Sequence, residues 1–345
     1  MTTRLLVAQP GLPLTHARFD DLPAHLEPGD LLVVNESATL PAALEATRED
    51  GERVQLHLST PEPSATKRSE RFVAPDRWTV ELRRAGQRVR DGRAGERLML
   101  PGGALARLVA PYPATKHPEH FVASRLWVAQ LHLPAPLLEY LEEHGAPIRY
   151  AHDLSPRPLA DFQTIFSRVP GSAEMPSAGG PFTHRTLHDL AARGVGVARL
   201  ILHTGVSSQE RGERPYPERF SVPAATAARV NATRRAGGRV IAVGTTVTRA
   251  LESAAGPDGR LRAAVGWTPL VITAERGVRA VDGIVTGWHD PEASHLDLLE
   301  AVGGAELVAA SYAASDGYRR HEHGDSHLLL GQAAAATTGN SRRIA

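Results

Sequence analysis

Apolar positions along this chain fall into two rhythms, and the change between them divides it. Arg4–Ala8 (RLLVA), Asp30–Asn35 (DLLVVN), Val195–His203 (VGVARLILH) and Arg239–Val243 (RVIAV) are short apolar runs, the pattern of strands covered on both faces. Elsewhere the spacing is helical: Leu137, Leu138 and Leu141 before Gly145, Thr183–Arg193 before Gly194, Ala224–Ala236, Val247–Ala255, His295–Val302 and Glu306–Gly317. Leu14–Phe19 reads as a hairpin partner of the first strand and Phe19–Leu26 as a short helical turn, with further strands at Thr268–Thr273 and Val278–Val281. Asn35–Thr39, Gly171–Phe182, Thr204–Tyr216 and Asp282–Glu292 read as polar loops.

From Glu52 to about Val128 short alternating runs take over: Val54–Leu58, Arg77–Arg83, Arg97–Leu100, Ala106–Ala110 and Phe121–Val128, separated by Pro and Gly. Even spacing of short strands predicts a small antiparallel barrel or sandwich. Strand–helix alternation on either side of it predicts an α/β fold with that barrel inserted. Residues 1–51 and 130–330 then form the main domain, 52–129 the inserted barrel, and 331–345 a fraying tail without apolar periodicity.

The chain is organised around Arg239–Ser253, RVIAVGTTVTRALES. A buried-type strand ends at Gly244, and the hydroxyl of Thr245 or Thr246 is suited to cap the helix that follows. Ligands of open α/β sheets bind outside the carboxyl ends of strands, and free N–H groups at a helix start favour an anion or a carbonyl oxygen. An ordinary strand–turn–helix packing unit has the same local pattern.

Composition narrows the picture. With 345 residues, 42% of them apolar, the chain can bury two cores. A net charge of +1 removes any strong overall attraction to nucleic acid, while 39 Lys and Arg leave room for a local basic face. The absence of cysteine excludes disulfides, thiolate nucleophiles and Cys-ligated metals. No apolar run reaches the length of a membrane span, and MTTRLLVAQPG lacks the apolar core of a signal peptide, so a cytoplasmic location is expected.

Chemistry-bearing residues gather at four places. Trp288-His289-Asp290-Pro291-Glu292 puts an imidazole, two carboxylates and an aromatic in one loop, fit for a general base and a purine face or for a satisfied polar turn. His203 stands at a strand end, as a functional group or as a histidine bonded to nearby backbone. His321, His323, Asp325 and His327 alternate as metal ligands on a strand would, or as a polar strand end at the surface. Gly179-Gly180 permits close approach of backbone to a ligand. The P-loop, the G-x-G-x-x-G dinucleotide fingerprint and the G-x-S-x-G elbow are all missing.

In order along the chain, RLLV at Arg4, LEPGDLLVVNESATLPAAL at Leu26, FQTIFS at Phe162, GSAEMPSAGGPF at Gly171, LILHTG at Leu200, PERFSVP at Pro217, VIAVGTTVTRALES at Val240, VDGIVTGWHDPE at Val281 and YRRHEHGD at Tyr318 resemble the S-adenosylmethionine:tRNA ribosyltransferase-isomerase family of queuosine biosynthesis. The resemblance implies an α/β domain with an inserted β-barrel. It also implies transfer and isomerisation of the ribosyl part of S-adenosylmethionine onto 7-aminomethyl-7-deazaguanine in tRNA, giving epoxyqueuosine with release of adenine and methionine. Neither a metal nor a further cofactor is implied.

On that resemblance His289 and Glu292 fall nearest the acid–base work, with His203 and Glu218 as alternatives. Gly244, Thr245, Thr246 and Arg249 would hold the ribose or the methionine carboxylate, Phe182 or Trp288 would stack on adenine, and Gly179 would let backbone approach. The chain departs from the family pattern in places. The family's N-N-T-R-V-x-P-A-R-L is NESATLPAAL at Asn35, without either arginine, and A-G-L-H-F is AGGPF at Ala178, without the histidine. The G-x-G-T-F loop is replaced at Gly205, and aromatics of Y-R-F-F-S-Y-G-D give way to Arg320, His321 and His323. Such losses suit a relative that uses S-adenosylmethionine with a small-molecule acceptor or water, or a binding module for tRNA or a nucleoside without catalysis.

Overall fold

The computed structural model describes residues 3–63, 76–113, 124–149, 157–206, 215–288, 295–320 and 323–331. The chain opens with β1 (Arg4–Ala8), β2 (Thr15–Arg18), a 3-10 turn at Phe19–His25, β3 (Leu31–Asn35) and β4 (Ser37–Thr39). There follow β5 (Ala43–Thr47), β6 (Arg53–Pro61), β7 (Arg77–Arg84), β8 (Gln87–Arg88), β9 (Arg97–Met99), β10 (Leu105–Tyr112) and β11 (Leu126–His132). The return to the main domain runs through α1 (Leu137–His144), β12 (Val169–Ser172), α2 (His184–Ala192), β13 (Gly196–Leu202), β14 (Glu218–Val222) and α3 (Ala224–Arg235). It ends with β15 (Val240–Val243), α4 (Thr245–Ala254), β16 (Ala264–Thr268), β17 (Gly283–Gly287), α5 (His295–Gly303), α6 (Ala305–Ala313) and β18 (Ser326–Leu330).

Nine strands form the main sheet in the order β16-β14-β13-β3-β15-β17-β18-β1-β2. Strands β13, β3, β15 and β17 run parallel, and β18 returns antiparallel beside β17. Alternate residues of each strand feed opposite faces, as the period of two requires. Val33, Ala242, Ile284 and Leu329 join the core that receives Val247, Ala250 and Leu251 of α4. Leu32, Ile241, Val243, Val285 and Leu328 join the core that receives Phe19, Leu22 and Leu190. Burial on both sides is why these strands are continuously apolar.

The second sheet has the order β11-β10-β9-β5-β6-β7-β8, and β11 pairs back onto β7 to close a six-stranded antiparallel barrel. Leu44, Leu56, Leu58, Val80, Leu82, Leu98, Leu108 and Trp127 fill it. Closure leaves no edge in the barrel wall. The expected α/β fold with a barrel inserted is the observed architecture, and the barrel sheet already includes β5, upstream of Glu52.

Several expected elements differ. Asp282–Glu292 begins as a central strand, β17, because its backbone is paired by β15 on one side and β18 on the other. Strand β18 was hidden behind the polar HEHGDSH stretch, yet all five of its residues are buried. The strand expected at Thr268–Thr273 lies earlier, at Ala264–Thr268. Val278–Val281 is no strand: Glu252 Oε1 accepts the N–H groups of Arg279 and Ala280, both at 2.7 Å, so a carboxylate replaces a neighbouring strand. Ser37–Thr39, read as loop, pairs with β12. Strand β11 is displaced toward His132 from the expected Phe121–Val128, whose first three residues lie outside the described residues.

Candidate active site at the carboxyl edge of the main sheet

Because β13, β3, β15 and β17 are parallel neighbours, their carboxyl ends share one edge. That edge collects His203 after β13, Asn35 as the last residue of β3 with Ser37 just beyond it, Gly244 to Thr246 after β15, and Trp288 after β17. The Gly244 N–H donates to Val285 O at 2.8 Å, which ties the VGTT corner to the strand leading into Trp288. His289 and Glu292 fall outside the described residues.

The start of α4 differs from expectation in one respect. Its N-cap is Gly244, with φ 96° and ψ 157°, and no side chain among the described residues caps the helix. Neither Thr245 nor Thr246 caps it; both are already helical, and a threonine inside the first turn cannot fold back as an N-cap does. Thr246 Oγ1 is buried and has no hydrogen-bond partner among the described residues. A buried hydroxyl without a partner is costly and uncommon, and this one stands beside uncapped N–H groups. Ala178 closes in on the corner, since a Cβ on Gly244 would lie 3.3 Å from the Ala178 Cβ. Gly179 is buried next to it, where a Cβ would meet Phe166 and Thr164 at 3.3 Å.

His203 is held by a relay. Its Nδ1 lies 2.7 Å from Ser37 Oγ, which lies 2.6 Å from Ser172 Oγ, and the Thr204 N–H donates to that oxygen at 3.0 Å. One proton order gives every hydroxyl in the relay an acceptor: Ser172 donates to Ser37, Ser37 donates to Nδ1, and the imidazole keeps its proton on Nε2. Asn35 braces the relay, accepting from the Ser37 and Leu202 N–H groups at 3.0 Å. Gly171 is required at the ring face, because a Cβ there would stand 2.5 Å from the imidazole. Burial, and then the charge of Arg219, push the His203 pKa down to about 4, so the ring is neutral at pH 7.

Glu218 and Arg249 form a clamp. Glu218 accepts from the Gly205 N–H at 3.0 Å and pairs with Arg249 Nη1. Arg249 Nε donates to Leu270 O at 3.1 Å, and Nη2 to Thr268 O at 3.0 Å and Tyr216 O at 3.2 Å. All three guanidinium nitrogens of Arg249 therefore serve the protein, fixing the loop before β14 against the segment after β16.

The two rings expected to stack on adenine are both packed inside. Phe182 is 2% exposed and meets Phe19 and Phe166 edge-on, with centroids 4.9 and 5.3 Å away. Trp288 stacks on His327 at 4.8 Å and 8°, flanked by Tyr312 and Tyr318. His327 itself is buried, and burial pushes its pKa down to about 3. Asp325 is bound by the Arg4 and Arg319 N–H groups, each at 2.8 Å, and by both guanidinium groups; these bonds outweigh its desolvation and hold it at about 2. Asp325 and His327 thus hold strand ends together, and His321 falls outside the described residues. Among the described residues, no cluster of three or more His, Cys, Asp or Glu is placed to hold a metal ion.

Ser37, Ser172 and Asn35 were not singled out from the sequence. Asn35 and Ser37 did lie in a polar stretch at a strand's carboxyl end, but nothing local pairs them with Ser172 and His203.

The family model described as "Queuosine biosynthesis protein" matches residues 1–329. The S-adenosylmethionine:tRNA ribosyltransferase-isomerase of Methylobacterium sp. (strain 4-46) is 36% identical over 95% of this chain and 91% of its own length. The protein of the same name from Moorella thermoacetica is 35% identical over 95% of this chain and 93% of its own. A solved structure of S-adenosylmethionine tRNA ribosyltransferase from Thermotoga maritima is 25% identical and covers 95% of this chain and 93% of its own, with a TM-score of 0.49.

Proposed function

The chain belongs to the S-adenosylmethionine:tRNA ribosyltransferase-isomerase family of queuosine biosynthesis, and from that premise we propose that it carries out the family reaction. The ribosyl part of S-adenosylmethionine passes to the amine of 7-aminomethyl-7-deazaguanine in tRNA and is isomerised, giving epoxyqueuosine; adenine and methionine leave. S-Adenosylmethionine and tRNA are the substrates, no further cofactor enters, and the work is done in the cytoplasm with the tRNA.

The observation that carries this reading is the unpartnered Thr246 hydroxyl beside the uncapped start of α4, on the same sheet edge as His203. A sulfonium acidifies the adjacent C5′ hydrogens, and a positioned base removes one. His289 and Glu292, in the segment that follows Trp288, are assigned that work. Adenine departs as donors reach its ring nitrogens, and the neutral His203, with its proton on Nε2, is suited to be one. The first-turn N–H groups of α4 and Thr246 Oγ1 take the ribose hydroxyls or the methionine carboxylate. Glu218 and Arg249 keep the neighbouring loops in place, and Gly179 with Ala178 walls the corner. Trp288 anchors the root of the catalytic segment, and Phe182 backs the wall from within the core. The amine then attacks the sugar, and methionine leaves as a neutral thioether.

Incubation with S-adenosylmethionine, with and without tRNA bearing 7-aminomethyl-7-deazaguanine, followed by mass spectrometry, tests the reading. Adenine, methionine and a mass gain on tRNA are expected only when all components are present. A second reading, favoured by the two arginines missing from NESATLPAAL, is a relative that passes the ribosyl part to a small molecule or water. Adenine release without tRNA would establish it in place of the first, and ligand binding with no release at all would reduce the protein to a binding module.

A further inference from the structure

Strands β5 and β6, the turn joining β7 to β8, and residues 146–149 after α1 enclose a cleft of about 260 Å³ on the barrel. Four arginines line it, Arg53, Arg83, Arg84 and Arg149, against one carboxylate, Glu45. Glu45 is engaged by Gln55 Nε2 at 2.9 Å. Arg83 is buried and spends its charge on Glu81 at 2.7 Å, so it builds the wall. Arg84 is half exposed and shares Glu52 with Arg48, at 2.5 and 3.0 Å. Arg53 is exposed and forms no ion pair among the described residues. At the lip stands Ala85, with φ 48°, the one non-glycine residue of positive φ among the described residues. Alanine in that region costs on the order of 1 kcal/mol, and such strain tends to collect at ligand sites.

Charge is divided unevenly between the two parts of the molecule. Residues 52–129 hold 14 Lys and Arg against 8 Asp and Glu, a net of +6 within a chain whose total is +1. The remainder is therefore acidic, and a polyanion approaching the molecule is drawn to the barrel. Guanidinium groups meet phosphate oxygens in a matched, bidentate geometry.

We propose that this cleft docks the sugar–phosphate backbone of RNA, with Arg53 and Arg84 as the contacting groups. The identity of that RNA as substrate tRNA rests on the reaction proposed above. The barrel then serves as the handle by which tRNA is held while its modified base reaches the carboxyl edge of the main sheet. The contacts are between charges, so docking weakens as salt rises.

The test is tRNA binding to the full chain by fluorescence anisotropy from 50 to 200 mM salt, in the wild type, the double variant Arg53→Ala/Arg84→Ala, and Arg193→Ala on α2's exposed end as a charge control. The double variant is expected to bind roughly tenfold or more weakly, with the slope of log K against log salt reduced by about two, one for each lost phosphate contact. S-Adenosylmethionine affinity stays unchanged, KM for tRNA rises and kcat holds. Arg53→Ala alone, which breaks no ion pair, gives about half the slope change and covers the case of a poorly folded double variant. Unchanged affinity and slope, or an equal loss in Arg193→Ala, would overturn the proposal. So would inorganic phosphate bound in an Arg53-dependent way while tRNA binding stays indifferent to Arg53, the signature of a free-anion site. Binding slopes are read without turnover, so a failure of the wild type to release adenine rejects the reaction and leaves the docking result standing by itself.

Discussion

Thr246 and His203 carry most of the argument at the scale of single residues. An unpartnered buried hydroxyl costs about 1–3 kcal/mol, and valine has nearly the same shape. Thr246→Val is therefore expected to raise stability by roughly 1 kcal/mol in thermal unfolding while weakening S-adenosylmethionine about 3- to 10-fold in calorimetry. A stable variant with full affinity would remove Thr246 from the site. His203 differs in kind: its value lies in being neutral and oriented. Sequence placed His203, Gly244 and Thr246 at strand ends because an apolar run followed by Gly, Thr or His is a local signal. It could not supply Ser37 and Ser172, because the bond between them joins β4 to β12 across a long stretch of chain.

Elements show how much of the site is backbone. Strand β15, Gly244 and α4 form one unit, and the φ and ψ of Gly244 fall in a region open almost only to glycine. Gly244→Ala is expected to cost roughly 1–3 kcal/mol and to move the first turn of α4. Gly304, at the N-cap of α6 with φ 85° and ψ 149°, provides the comparison. Both alanine variants should lose similar stability in urea titrations, and only Gly244→Ala should lose affinity for S-adenosylmethionine; equal affinities would mean that the α4 start does not touch the ligand. Helix periodicity was readable because each helix writes its own buried stripe. Strands β17 and β18 were not, since GIVTG and SHLLL acquire their identity from neighbours on both sides.

For the whole molecule, pH is the informative variable. Burial is the first cause of the low pKa values of His57, His203 and His327, at about 3, 4 and 3; the charge of Arg83 adds to it at His57 and that of Arg219 at His203. A histidine whose folded pKa lies below its unfolded value of about 6.5 takes up its proton more readily when the chain is unfolded. Its stabilising contribution is complete above that unfolded value and is lost as pH falls from 6.5 toward the folded values. Each group is worth on the order of 3 kcal/mol, so together they rival the 5–15 kcal/mol of a typical domain. Urea unfolding followed from pH 7.5 to 4.5 should show steeply falling stability, with uptake of several protons on unfolding near pH 5, His295 adding to the three because burial and then the charge of Arg249 hold it at about 4. A flat profile across that range would mean that these rings reach water.

Local pattern alone determined the alternation of strand and helix, the change of rhythm that marks the barrel, and the placing of His203 and the VGTT corner at strand ends, because each of these is written within a few consecutive residues. The order of strands in the main sheet, the closing of β11 onto β7, the Ser172–Ser37–His203 relay, the commitment of Arg249 to Glu218 and the burial of Phe182 and Trp288 were decided only by the folded chain. Those features are contacts between residues distant in sequence, and a side chain's freedom to meet a ligand depends on which of its partners the fold has already supplied.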